Sequence, residues 1–335
     1  MRKKWVDFLK AIAMIAVLQD HLPAAKLYNW RYSIFSVSLF VLLGGITAAI
    51  SLEKKPSFDY GNYFWKKVRT IMLPYFVATC GYVIFDKGRL DIPYLMEKLL
   101  TFSEGSNGYM YYLVFYFQLI MIAPVLVKLY EKCGENQWKQ GLFLAGSAIL
   151  SYLFQRYALF EMFALGGRFL FGGSYFFVFS LGIYFYFHID LLDRMAAKAA
   201  VIVISLMMLG YIVYKEWCFD WWSNPPCIKV IIYTVVIFLL SYSAVTLVQK
   251  LLENMETGII GRGLAEMFCL IGRYSLYIYL WHMILVDIVG NMGIYNKIEI
   301  AFGEKLLVNC FILYVPCLSY IVYRKWIRTL REHFV

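Results

Sequence analysis

The chain has 335 residues, of which 61% are hydrophobic, 19% aromatic and only 16% charged, with a formal net charge of +10 and a mean hydropathy of +0.63. Soluble domains carry about 25% charged residues, and here the apolar excess runs the length of the chain. This composition excludes a soluble enzyme and a separate soluble domain, and it predicts one membrane domain over residues 1–335. The basic residues fall in short groups between apolar runs and form no stripe, so no nucleic-acid partner is expected.

Scanning for runs of about 20 apolar residues, the length that crosses a bilayer, gives ten spans. They are 5–23, 32–52, 69–86, 109–130, 141–160, 172–189, 198–215, 228–249, 264–289 and 302–323. The predicted fold is therefore an all-α integral membrane protein, a bundle of about ten transmembrane helices. Arg2, Lys3 and Lys4 precede a full-length first span with no small-residue cleavage site, which reads as an uncleaved span rather than a signal peptide.

The first span, WVDFLKAIAMIAVLQDHLP, carries Asp7, Lys10, Asp20 and His21. Asp or Lys at the centre of a membrane helix costs roughly 2.5–3.5 kcal/mol. At 100° per residue, Lys10 and His21 lie about 20° apart around the helix and about 16 Å apart along it. Asp7 falls on the same face, at i,i+3 from Lys10, where an ion pair can form. One polar stripe thus climbs an apolar helix. The structural reading is an edge ion pair with a snorkelling lysine; the functional one uses His21, the side chain best suited to proton transfer near neutral pH. Asp20 points about 100° away from His21 and is a poor partner for it.

Before the third span, YFWKKVRTIMLPYF sets Lys66, Lys67 and Arg69 ahead of Pro74. Orientation by positive charge explains this cluster; so does an anion site at the mouth of the bundle, suited to the phosphates of an acyl-CoA. Further on, KEWCFDWWSNPPCIK brings Trp217, Trp221 and Trp222 beside Asp220, either an interfacial aromatic belt or a platform for sugar rings. Cys218 and Cys227 share that loop and could pair. The seven cysteines contain no C-x-x-C, so no metal or redox site is expected.

The ninth span, LIGRYSLYIYLWHMILV, holds Arg273, Ser275, Tyr279 and His282. In a continuous helix Ser275 and His282 share a face about 10 Å apart, too far for a nucleophile pair, and Arg273 lies opposite His282. His282 then sits at a depth like that of His21, which suggests a shared cavity. Lys and Arg number 19 in one set of alternate loops and 11 in the other. The richer side should be cytoplasmic, with both termini there.

These blocks together resemble the acyltransferase-3 family of ten-helix bacterial membrane O-acyltransferases. DFLKAIAMIAVLQDH resembles the family's basic-residue-x10-His opening, through Lys10 and His21. VSLFVLLGGITAAISL resembles its V-P-L-F-F-x-x-S-G span, with Ser38 for Pro and Gly44 for Ser. KKVRTIMLPY resembles its basic entry through Lys67, Arg69, Pro74 and Tyr75. GRYSLYIYLWH resembles its G-x-x-S-L-x-I-Y-L-x-H block through Gly272, Ser275, Tyr279 and His282. One departure stands out: where many members open the fourth span with H-L-W-F, this chain has YMYY, with Tyr109 and Tyr111 in place of His and Trp.

The resemblance implies transfer of an acetyl or similar short acyl group from acyl-CoA, a donor substrate rather than a bound cofactor, to a hydroxyl of a glycan or glycolipid in the bacterial plasma membrane. It assigns His21 as general base or acyl carrier. Lys10, with Asp7, would serve the donor or its oxyanion, and Lys67 and Arg69 the CoA phosphates. His282, Ser275 and Tyr279 would face the acceptor or line the cavity, with His282 orienting acceptor or base. A glycan or lipid flippase is the alternative reading, since intramembrane charge also suits a carrier; the stripe of span 1 has no counterpart in span 6, as an inverted repeat would require.

Overall fold

The computed structural model describes residues 3–21, 33–53, 58–101, 110–157, 172–194, 198–215, 226–254, 259–292 and 302–333. Among them every regular element is helical. In chain order these are α1 (Lys4–His21), α2 (Ser36–Leu52), α3 (Tyr60–Lys67), α4 (Leu73–Lys87), α5 (Ile92–Thr101), α6 (Tyr111–Glu131) and α7 (Gln137–Tyr157), then α8 (Phe176–Phe187), α9 (Ile189–Arg194), α10 (Lys198–Tyr214), α11 (Ile228–Asn254), α12 (Ile259–Arg273), α13 (Ser275–Asn291) and α14 (Phe302–His333). The tryptophan loop and Cys218 lie outside the described residues.

By length and composition, Tyr60–Lys87, Ile228–Leu247 and Leu307–Trp326 can each cross a bilayer. Ala265–Arg273 with Ser275–Asn291 makes a fourth span if the bent pair counts as one. Other expected spans miss this standard for physical reasons. The α2 helix and the apolar stretches Gly172–Phe187 and Ala199–Tyr214 are one or two residues short of 18, and α1 carries Lys4, Asp7, Lys10 and Asp20 within 18 residues.

Two expectations from the sequence need correction. The third span does not begin at residue 69: α3 joins α4 through a single π turn, Val68–Met72, so the helical rod starts at Tyr60. The turn closes on the bond from the Leu73 N–H to the Val68 carbonyl, one residue wider than an α-helical bond. Pro74, one residue further on, has no N–H to give the ladder, and the chain meets that gap by widening. The ninth span is not one helix: α12 and α13 meet at Tyr274 with a bend of 83°. Arg273 therefore belongs to a different helix from His282, and the expected opposition of the two around one helix does not hold.

The chain divides into two compact units. One comprises Met1–Ser33 with Gln249–Val335, the other Ile34–Val248. In the second, α2 and α8 cross at glycines: a methyl on Gly45 would overlap the Phe179 carbonyl, and one on Gly182 the Leu42 carbonyl. Small residues let backbones approach this closely where lipid supplies no hydrophobic drive between helices. Nearby, a methyl on Gly44 would lie 2.7 Å from Tyr116 Cε2. The ring fills the space that the family's serine would need. Tyr63 Oη donates to the Ile120 carbonyl at 2.7 Å and ties α3 to α6.

In the first unit, α1 packs along α12. Phe8 and Phe268 meet with centroids 4.4 Å apart, and Lys4 Nζ donates to Glu266 Oε1 at 2.6 Å. A methyl on Gly272 would overlap the Asp7 carbonyl oxygen. The last residues of α12 are thus set backbone against backbone on α1, one step before the bend.

Candidate active site

The polar stripe of α1 survives as one continuous helix from Lys4 to His21. Asp7 is 3% exposed, and Lys10, one turn on, is half-buried. The unbroken helix keeps Lys10 and His21 about 16 Å apart along the axis, so a lysine side chain cannot reach an oxyanion formed at the imidazole. Of the two roles the resemblance gives Lys10, only the grip on a more distant part of a donor is compatible with this geometry.

The bend at Tyr274 brings the other histidine in. With Gly272 fixed against Asp7, α13 climbs beside α1, and the His21 and His282 rings meet with centroids 5.1 Å apart and planes at 42°. His282 is 1% exposed, and His21 is half-buried. His282 Nδ1 lies 2.6 Å from the Tyr279 carbonyl oxygen. A carbonyl can only accept, so Nδ1 carries the hydrogen, and the neutral ring is left with a lone pair on Nε2. The Tyr279 backbone carbonyl thus holds the His282 ring. The Tyr279 ring is buried and lies 5.6 Å from that of His282.

Ser275 is the first residue of α13, two turns below His282 and out of bonding reach of it. Asp20, next to His21 in sequence, is engaged elsewhere: the Ser33 hydroxyl donates to Asp20 Oδ1. That bond and the Lys4–Glu266 pair were not expected from sequence. Nothing in the local pattern marks Ser33 or Glu266, whose partners are 13 and 262 residues away.

Lys67 and Arg69 belong to the second unit. Lys67 Nζ sits 5.2 Å from the centre of the Tyr63 ring, within cation–π range, and Arg69 is exposed within the π turn. Single-turn π bulges are frequent at functional sites, and this one sets both cations around a local change of helical register. Among the described residues no group of His, Cys, Asp and Glu could hold a metal ion.

Apolar helices threaded by buried ionisable groups bring two histidine rings together at a tilt of 42°. The family described as an acyltransferase domain, acyltransferase-3, matches residues 3–324. The chain belongs to that family and is a membrane acyltransferase. No curated protein and no solved structure matches it.

Proposed function

We propose that this membrane acyltransferase moves an acetyl or similar short acyl group from cytoplasmic acyl-CoA to a hydroxyl of a cell-surface glycan or glycolipid precursor. The host membrane is then the bacterial plasma membrane, and the whole of 1–335 acts as one ten-span domain with both termini inside. The observation that carries this reading is the His21–His282 pair, two imidazoles 5.1 Å apart between α1 and α13. Imidazole serves transfer from a thioester to a hydroxyl in two ways, as proton acceptor and as transient acyl carrier.

In this reading His21 is the principal catalytic group and His282 orients the acceptor beside it. Lys10, backed by the buried Asp7, grips the donor away from the reacting carbon. Lys67 and Arg69 bind the phosphates of the coenzyme, whose charge a cluster of cations attracts.

The test is release of coenzyme A from radiolabelled acetyl-CoA by purified protein in nanodiscs, with membranes of the source cells as acceptor. Wild type should label a membrane glycan. His21→Ala should lose 10²–10⁴-fold in rate, the usual contribution of a positioned acid–base group, while remaining folded. Lys10→Ala should chiefly raise the KM for acetyl-CoA. Absence of turnover by wild type, with both variants indistinguishable from it, would overturn the proposal.

A further inference from the structure

Buried polar atoms in native proteins nearly always have partners, and each exception asks for a reason. Among the described residues the buried side-chain atoms without a hydrogen-bond partner are Ser180 Oγ, Asn309 Oδ1 and His282 Nε2. The last of these lies on a ring packed against a second imidazole, that of His21. Its protonation is also fixed, because the Tyr279 carbonyl holds the hydrogen on Nδ1. The atom is therefore a lone pair shielded from solvent. It can only accept, and it awaits a group with an O–H or N–H to donate.

We infer that His282 Nε2 is the atom that takes the proton of the acceptor hydroxyl, with His21 set beside the reacting thioester rather than acting as the base. This division of labour rests on the acyl-transfer reading above. In the step, the acceptor O–H bond breaks and an N–H bond forms at Nε2, giving an imidazolium whose Nδ1–H still points to the Tyr279 carbonyl. The freed oxygen pair forms the new C–O bond at the acyl carbon as the C–S bond to coenzyme A breaks. The thiolate keeps the sulfur electron pair and recovers the proton from Nε2. Alcohol and thioester become ester and thiol, with His282 returned to its starting tautomer. Two imidazoles so close do not readily hold two positive charges, so a pair in which one ring takes the proton and the other does not is the economical arrangement.

The experiment compares two acceptors with acetyl-CoA as donor. One is the membrane glycan of the source cells, whose hydroxyl must lose a proton. The other is hydroxylamine, whose neutral nitrogen attacks a thioester without prior deprotonation; its uncatalysed reaction is subtracted. His282→Gln should lower transfer to the glycan at least 100-fold while keeping hydroxylamine-dependent release of coenzyme A within a few-fold of wild type. Equal loss with both acceptors, or loss with neither, overturns the inference and leaves the acyl-transfer reading intact. Wild-type failure with both overturns the reading itself, and the inference with it. A second measurement needs no variant of His282. Solid-state nitrogen NMR of histidine-labelled protein, in which only four histidines contribute, should show His282 protonated on Nδ1 and bare on Nε2. The opposite tautomer would overturn the inference.

Discussion

Two residues of α12, Glu266 and Gly272, show how unequal contacts at the same interface are. The Lys4–Glu266 ion pair is short, at 2.6 Å, but both side chains are more than half exposed. Exposed pairs of this kind contribute about 0–1 kcal/mol and are screened by salt. Lys4→Met should therefore shift the unfolding temperature in detergent by no more than a degree or two, and that shift should disappear in molar salt. At Gly272, by contrast, an added methyl has nowhere to go but into the Asp7 carbonyl, and rigid backbone cannot give way as a side chain can. Overpacking of this sort costs about 1–3 kcal/mol, so Gly272→Ala should lower the same temperature by several degrees and weaken acyl transfer by displacing α13. The ordering matters: a backbone contact with no charge outweighs a well-formed salt bridge at the surface.

At the scale of the element, the π turn and the broken span are where local sequence and observed structure part. The polar stripe of α1 was legible because a fixed 100° per residue places Asp7, Lys10 and His21 on one face whatever the surroundings. The meeting of His21 with His282 was legible only as a shared depth. The 83° bend was not, since nothing between Leu270 and Ser275 is a proline and the motif reads as unbroken apolar helix. It is the tertiary contact of Gly272 with Asp7 that accompanies the break, and such contacts have no one-dimensional signature. At Pro74 the cue was present but ambiguous: a proline one residue inside α4 announces a disturbance without saying that the helix will widen rather than stop. Replacing it tests the consequence. Pro74→Ala restores an N–H, should let Val68–Met72 tighten to α-helix, and turns Lys67 and Arg69 through a different angle. In the acyl-CoA reading, the donor KM should then rise several-fold with kcat little changed, measured by the same coenzyme A release assay.

For the whole molecule, composition fixed the class early, because a chain that is 61% hydrophobic and 16% charged cannot keep itself in water. The number of spans is less direct, since α1 carries four charged residues and the apolar α2 and α8 helices are short. The basic-residue asymmetry predicts both termini inside, and this is open to a direct check. Cysteines introduced at Lys3 and His333 should resist a membrane-impermeant maleimide in intact cells and react after permeabilisation. Labelling of either one from outside would invert the orientation and, with it, the side from which acyl-CoA must enter.

The bend at Tyr274 also ties chemistry to the lipid around the protein. A straight span answers a change in bilayer thickness by tilting as a rod; a span in two pieces answers by opening or closing its angle. With Gly272 pinned to α1, His282 rides at the end of an arm eight residues long from the bend, about 12 Å. A change of about 5° at the bend would carry its ring roughly 1 Å, as large as the misplacement that costs reactions on the order of 100-fold. Reconstituted in bilayers of successively longer acyl chains, the enzyme should therefore show a thickness optimum for transfer that is sharper than its optimum for stability.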